Sequence, residues 1–397
     1  MSFEEIKKLD DAYVAHTYSR YGVALDHGYG AVCYDPTDKP YIDFTSGIGV
    51  NSLGFADAGW IKAVTAQLNK LQHISNLYYT EPCAQAAKLI CEKSGMKKVF
   101  FGNSGAEANE GVIKAARKYS FQKYGEGRST IVALENSFHG RTMAALSATG
   151  QAAYHNFFFP FVDGFVFAVA NDIEDTLSKL TDDVCAVMME MVQGEGGVMP
   201  LEKEYVQAIY QACQKKDILF IVDEVQTGVG RTGTFYSYQQ FDIQPDLVSS
   251  AKGLGGGLPI GAVLFGEKTE NVLVPGDHGS TFGGNPVVCA GAVEILNRMD
   301  ADFLQEVTAK GNYMKTEIEK MPHVTSVAGM GMMLGIELDV DVKPVVNTLM
   351  ENGLLVLTAK HKMRLLPPLN ITRTELEQGL SILKETLTHI SFNYHKL

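Results

Sequence analysis

The chain has 397 residues, too many for one small hydrophobic core, so more than one substructure is expected. Apolar residues make up 46% and charged residues 20%, ordinary for a soluble globular protein, and 46 acidic against 34 basic side chains give a net charge of −12. That acidity excludes an electrostatic footprint for nucleic acid or for an anionic membrane surface.

The opening Met1-Ser2-Phe3-Glu4-Glu5 has no apolar core and is too acidic for a transit peptide. The greasiest stretch, 157–170, is broken by Pro160, Asp163 and Gly164. It falls short of the roughly 20 apolar residues that span a bilayer. Six cysteines (Cys33, Cys83, Cys91, Cys185, Cys213, Cys289) form no C-x-x-C pair and read as free thiols of a reducing compartment, so a cytoplasmic protein is expected.

In chain order, Tyr41 to Phe44 predicts a strand running into a loop at 46–51. A helix follows with Trp60, Ile61, Val64, Leu68 and Leu71 on one face, and Pro82 suits the first turn of another. The pattern then alternates. Strands are predicted at 97–101, 130–134, 165–169, 184–189, 218–222, 246–249 and 260–265, with helices at 106–124 and 202–215. Strands separated by helices imply an α/β fold, with a mostly parallel sheet covered on both faces. After Pro286 come a helix to about 298, a polar helix at 302–321, and short strands near 323–328 and 332–338. A last helix follows Thr372, whose hydroxyl can cap it with Glu375 three residues on. The expected layout is a large domain at 46–285 and a smaller α+β domain at 286–397, against which the segment 1–45 packs.

Five stretches carry chemistry. Phe100 to Asn109 reads as a strand end, a glycine turn and a helix start. Its free amides and positive dipole end favour a phosphate, and Ser104 can add a hydroxyl; a plain turn with Ser104 or Asn103 as cap fits equally. Phe138-His139-Gly140-Arg141-Thr142 sets an aromatic that could stack on a flat ring beside an arginine whose fork suits a carboxylate. Seen alone, Arg141 reads as a solvated charge and His139 as packing or surface. The apolar run Leu219 to Val222 stops at Asp223, and Lys252 sits among small residues before the glycines 255–257. Burial there would lower the lysine's pKa and free its amine, and a pyridoxal-binding lysine needs an acid for the pyridine nitrogen. Taken separately, the two residues read as a strand cap and a surface lysine. The run His278-Gly279-Ser280-Thr281-Phe282-Gly283-Gly284-Asn285-Pro286 mixes hydroxyls with glycines, for a phosphate contact or a tight turn. Arg364 stands in an apolar run, where an inward guanidinium is costly unless paired with an anion.

Gly228 to Gly233 matches G-x-G-x-x-G, but residues 223–227 separate it from the strand and no helical period follows. It reads as a flexible loop beside the site, and a nicotinamide dehydrogenase is disfavoured. No metal-ligand spacing appears, and no metal is expected.

Together these stretches resemble the class III (ornithine-type) aminotransferases, which depend on pyridoxal 5'-phosphate (PLP), over nearly the whole chain. The likeness rests on Asn-Ser-Gly-Ala-Glu-Ala-Asn at 103–109, Phe-His-Gly-Arg-Thr at 138–142, Asp-Glu-Val-Gln-Thr-Gly at 223–228, Lys252, and Gly-Ser-Thr-Phe-Gly-Gly-Asn-Pro at 279–286. The resemblance implies the type I aminotransferase fold. It implies that Lys252 carries the cofactor aldehyde and shuttles a proton, that Asp223 pairs with the ring nitrogen, and that Gln226 reaches the ring hydroxyl. Phe138 would stack on the ring, with Ser104, Gly105 and Ala106 on the phosphate and Thr281 reaching it from a neighbouring subunit, in a homodimer with shared sites. Ser-Gly-Ile-Gly-Val-Asn-Ser-Leu-Gly at 46–54 and Arg-Leu-Leu-Pro-Pro-Leu-Asn-Ile-Thr at 364–372 look most like members acting on N-acetylornithine and 2-oxoglutarate, in arginine biosynthesis. Ornithine, GABA, succinylornithine and N-succinyl-diaminopimelate stay open as substrates. By that likeness Tyr18 and Arg141 bind substrate, Arg141 holding the carboxylate far from the reacting amine. Arg364 holds glutamate's α-carboxylate, and Glu195 covers Arg364 when the other substrate is present. The chain departs from the family pattern at Gly22, Phe55, Asp57, Ala58 and Met191, none of which removes a proposed chemical group.

Overall fold

The computed structural model describes residues 1–390. At its centre is a seven-stranded sheet in the order Lys98–Gly102, Gly261–Phe265, Leu247–Ser250, Leu219–Asp223, Val184–Met189, Thr130–Leu134, Phe165–Ala168. Leu219–Asp223 pairs in parallel with both neighbours, and Thr130–Leu134 does the same. Gly261–Phe265 runs antiparallel to both of its own neighbours. The sheet is therefore mostly parallel, as expected, and each of its seven predicted strands lies within one residue of its observed bounds.

The pattern of apolar runs explains the burial. Val184–Met189 and Leu219–Asp223 are buried at every position, as strands covered on both faces must be. Helix Gly105–Tyr124 crosses the sheet on small residues (Ala108, Gly111, Ala115, Ala116) that let the backbones approach closely. Because the parallel strands share one direction, the turns after Leu134, Met189, Asp223 and Ser250 all open on one edge, the usual place for a site in this architecture.

Two smaller sheets flank this body. Val324–Met330, Met333–Leu338, Lys362–Leu365 and Leu357–Ala359 form an antiparallel sheet. His27–Tyr29, Val32–Tyr34 and Pro40–Asp43 form another, which Leu354–Leu355 joins in parallel. The last helix, Arg373–His389, carries the capping box read at Thr372 and Glu375.

Some features differ from expectation. A helix at Phe3–Tyr13, capped by Ser2 and Glu5, was not predicted, although Phe3, Ile6, Leu9 and Tyr13 recur at helical spacing; none of its residues is buried. Helix Val342–Glu351 does bury Val342, Val345, Val346 and Leu349, a helical period present in the sequence but not picked out. On Ala58–Leu68 only Val64 is buried; Ile61 is 43% and Leu68 46% exposed, so the described residues leave much of that stripe uncovered. The 228–233 segment is no open loop. Val229 and Arg231 are buried, and the Arg231 guanidinium donates to the carbonyls of Met332 (3.1 Å) and Pro367 (2.5 Å). Its glycines open no helix, so the phosphate cradle of a dinucleotide fold is missing.

Candidate active site

At the C-terminal edge of the large sheet lies a cavity of about 470 Å³, lined among others by Ser104, Phe138, Glu190, Asp223, Gln226 and Lys252. These residues arrive from several different strand ends. Lys252 follows Leu247–Ser250 with φ at +40°, a left-handed conformation that a lysine holds only when its surroundings impose it. Its amine makes no hydrogen bond or ion pair to any described residue. Burial pushes its pKa below the ordinary lysine value and the Arg364 charge adds to this, against the opposing pull of Glu195, Asp223 and Glu190.

Asp223 ends the central strand with a carboxylate held from three sides. Oδ2 accepts from His139 Nδ1 (2.7 Å) and Asn109 Nδ2 (2.8 Å), and Oδ1 accepts from the Val225 amide (2.9 Å). His139 is thus no surface or packing histidine. It is buried, and although burial opposes its charge, the Asp223 hydrogen bond and charge win and raise its pKa. Asn109 reaches Asp223 from the first turns of the helix that begins at Gly105.

That helix start also faces the cavity. Ser104 caps it, its Oγ accepting from the Glu107 amide at 3.1 Å. The amides of Gly105 and Ala106 have no helical carbonyl behind them. Gly261 lies so close that a Cβ there would sit 2.1 Å from the Ser104 carbonyl oxygen, so only glycine permits this packing.

Phe138 presents its ring from the loop after Thr130–Leu134, and its amide donates to Glu190 Oε2 at 3.0 Å. Glu190 is a site residue that the sequence reading missed. Burial raises its carboxyl to about 8, further raised by the Asp223 charge and opposed by His139, so it is mostly protonated at neutral pH. On the other flank, Gln226 Oε1 accepts from Arg364 Nη1 at 3.1 Å, and Glu195 Oε1 accepts from the same nitrogen at 2.6 Å. Burial alone would raise Glu195, but the Arg364 guanidinium outweighs it and holds the carboxyl below its usual range. Arg141 also lines the cavity, its guanidinium 4.1 Å from the centre of the Tyr154 ring.

Two expected site residues stand apart in the single chain. Tyr18 is 75% exposed, its ring beside Arg20. Thr281 is exposed in a loop whose Ser280 Oγ accepts from Asn103 Nδ2 at 3.2 Å. Among the described residues no group of three or more His, Cys, Asp or Glu is placed to hold a metal.

The family model for class-III aminotransferases matches residues 13–387. The chain belongs to that family. It is 52% identical to acetylornithine aminotransferase of Haemophilus ducreyi, over 98% of this chain and all of that one. Among solved structures, acetylornithine aminotransferase from Elizabethkingia anophelis superposes with a TM-score of 0.86 at 32% identity, covering 98% of this chain and 99% of that one. An ornithine aminotransferase from Toxoplasma gondii, described with partial occupancy of PLP at its active site, superposes at 0.92 with 32% identity, covering 97% and 94%.

Class-III membership implies PLP, and the residues present fit it. A partnerless lysine amine, a carboxylate with three donors, an aromatic wall and open helix amides meet in one cavity. These are the donors and acceptors that an aldehyde, a pyridine nitrogen, a flat ring and a phosphate call for. Among the described residues no helix is long and apolar enough to cross a membrane.

Proposed function

We propose that this class-III aminotransferase uses PLP to move the δ-amino group of N-acetylornithine to 2-oxoglutarate, giving N-acetylglutamate 5-semialdehyde and glutamate. The observation that carries the chemistry is the cavity in which the Lys252 amine, free of partners, meets the triply held Asp223. The choice of substrate leans on the relatives named for acetylornithine and on two separate arginines, Arg141, which lines the cavity, and Arg364, which is bonded to the cavity-lining Gln226.

When bound, PLP supplies an aldehyde that accepts the amino group and a ring that takes up the electron pair left on the substrate carbon. The remaining work belongs to the chain. Lys252, its charge disfavoured by burial, gives up its proton more readily than an exposed lysine, offers its amine as nucleophile and then carries the proton between the substrate carbon and the cofactor carbon. Asp223, its carboxylate oriented by three donors, stabilises a protonated ring nitrogen. Phe138 covers one ring face, Gln226 serves the ring hydroxyl, and Ser104 with the Gly105 and Ala106 amides holds the phosphate. Thr281 of the partner subunit completes that phosphate site. A second copy would offer cover to Leu77 (86%), Tyr79 (107%) and Phe282 (61%), apolar side chains left exposed in the single chain.

Arg141 takes the carboxylate remote from the reacting amine, with Tyr18 at the substrate entrance. Arg364 waits for glutamate's α-carboxylate. With N-acetylornithine, which lacks a second carboxylate at that point, Glu195 stays on Arg364 and no buried guanidinium is left unpaired. The division into a large domain at 46–285 and a smaller one at 286–397, with 1–45 packed on the latter, belongs to the same proposal. So does a cytoplasmic location, in keeping with six free thiols.

Purified protein should show the absorbance band of a lysine-bound, borohydride-reducible cofactor. Rapid-mixing half-reactions with N-acetylornithine, ornithine and GABA should favour the first, and 2-oxoglutarate should then release glutamate. A missing band would defeat the cofactor reading. No preference for N-acetylornithine over ornithine and GABA would defeat the substrate reading alone.

A further inference from the structure

The Arg141 guanidinium makes no hydrogen bond or ion pair to any described residue. Its described neighbours are rings, with its central carbon 4.1 Å from the Tyr154 centroid and 5.6 Å from that of Phe138. Phe138 and Tyr154 themselves meet edge to face at 5.7 Å. A cation held over an aromatic ring is attracted without spending its N–H donors on a hydrogen bond, so the guanidinium fork stays available to a ligand.

Tyr154 is itself held firmly. It closes a short turn, Ala152–Tyr154, its amide donating to the Gln151 carbonyl at 3.0 Å. Gln151 Nε2 donates to the Ser137 carbonyl (3.1 Å), the Gly150 amide to Ser137 Oγ (3.0 Å), and the Asn136 amide to the Gly150 carbonyl (2.8 Å). A Cβ at Gly150 would lie 2.1 Å from the Leu134 carbonyl oxygen, so the two segments touch backbone to backbone. The segment bearing Tyr154 is thereby stitched to the loop that carries both Phe138 and Arg141.

We propose that Tyr154 is a positioning residue that holds the Arg141 fork toward the cavity and so sets the preference for amines bearing a remote carboxylate. This rests on the reading of Arg141 under Proposed function. The carboxylate's own binding then draws on a guanidinium already ordered, instead of one that must first give up its rotamer freedom.

The test compares Tyr154→Leu and Tyr154→Phe with wild type, each as the cofactor-loaded full chain. The amines are N-acetylornithine and N-acetylputrescine, which keeps the reacting amine and acetamide but lacks the carboxylate. Tyr154→Leu should raise KM for N-acetylornithine roughly tenfold, within the range of a lost cation–π contact, with kcat within about twofold. N-acetylputrescine should be unaffected, and Tyr154→Phe should behave like wild type because the ring is kept. Equal loss for both amines, or equal loss in the Phe and Leu variants, would overturn the proposal. If wild type turns over glutamate but not N-acetylornithine, the substrate reading fails instead. The KM for glutamate, whose side-chain carboxylate meets the same arginine, then decides the role of Tyr154: a rise in the Leu variant alone supports it, and no rise overturns it.

Discussion

Replacing Glu195 with Gln should separate the two halves of the reaction. In the structure Glu195 Oε1 sits 2.6 Å from Arg364 Nη1, with the arginine side chain 3% and the glutamate side chain 24% exposed. Gln226 Oε1 supplies a second, neutral acceptor at 3.1 Å. A glutamine at 195 keeps an acceptor oxygen and loses the charge. Hydrogen bonds to charged groups contribute about 1.5–3 kcal/mol, so the charge adds on the order of that amount to what an incoming carboxylate must displace. In the proposed reaction glutamate has to displace it, whereas N-acetylornithine leaves the pair intact. At about 1.4 kcal/mol per factor of ten, the ratio of kcat/KM for glutamate to kcat/KM for N-acetylornithine should rise about 10- to 100-fold in the variant. Single-turnover rates with each amine, followed through the cofactor absorbance, measure that ratio directly. A ratio within about twofold of wild type would refute the switch, even if both rates fell.

Three further outcomes follow from the same geometry. Lys252→Ala should abolish the lysine-bound absorbance band and leave the far-ultraviolet circular dichroism unchanged; parental transamination by this variant would refute the central assignment. His139→Ala removes one of the three donors on Asp223, and with it about 1.5–3 kcal/mol. The dissociation constant for PLP should weaken by about 10- to 100-fold in a fluorescence titration, and an unchanged constant would remove His139 from the site. Glu190 is raised to about 8 in the folded chain from an ordinary 4.5, so the folded state retains a proton that the unfolded chain releases. Its contribution is present in full below pH 4.5 and is lost as pH rises toward 8, a destabilisation of at most a few kcal/mol. Glu190→Gln should therefore flatten the fall in urea-unfolding stability of the cofactor-free protein between about pH 5 and 9, and an unaltered slope would count against a protonated Glu190.

The sheet was legible because its strands are uniform apolar runs with abrupt polar ends, and buried parallel strands leave that signature in the sequence. Asp223 was legible for the same reason, as the acid that stops such a run. Glu190 ends Val184–Met189 in the same way and could have been found by the same signal. His139 was misread because a histidine's role depends on which partner the fold brings to it, here Asp223 from a strand 84 positions later. Nothing marks Tyr154 in the sequence: it gains meaning only when backbone pairing across Gly150 sets it against Arg141. The glycines at 228–233 open no helix, in keeping with their rejection as a dinucleotide motif, but the segment is buried, contrary to the reading of a flexible loop. Its glycines allow close packing, Gly228 on Tyr236, Gly230 on Met299 and Gly233 on Thr308, while Arg231, whose burial pushes the guanidinium down to about 9, binds two carbonyls of the C-terminal part of the chain.

Three carboxyl groups meet near one lysine, and their surroundings assign them three different roles. Asp223 has three N–H donors, which fix both of its oxygens in place. Glu190 has one, from the Phe138 amide, too little to offset its burial, so it holds a proton. Glu195 has a guanidinium, which keeps it charged, but at a single nitrogen and with part of its side chain exposed, so it is the one that can move. Were all three charged and fixed, the Lys252 ammonium would be stabilised and its amine would be a poor nucleophile. With one neutral and one committed to Arg364, burial governs the lysine and its pKa falls. In the proposed mechanism, the differences in donor count that leave the Lys252 pKa low also make Glu195 the movable group, so nucleophile activation and discrimination between substrates would both rest on the same unequal distribution of hydrogen bonds.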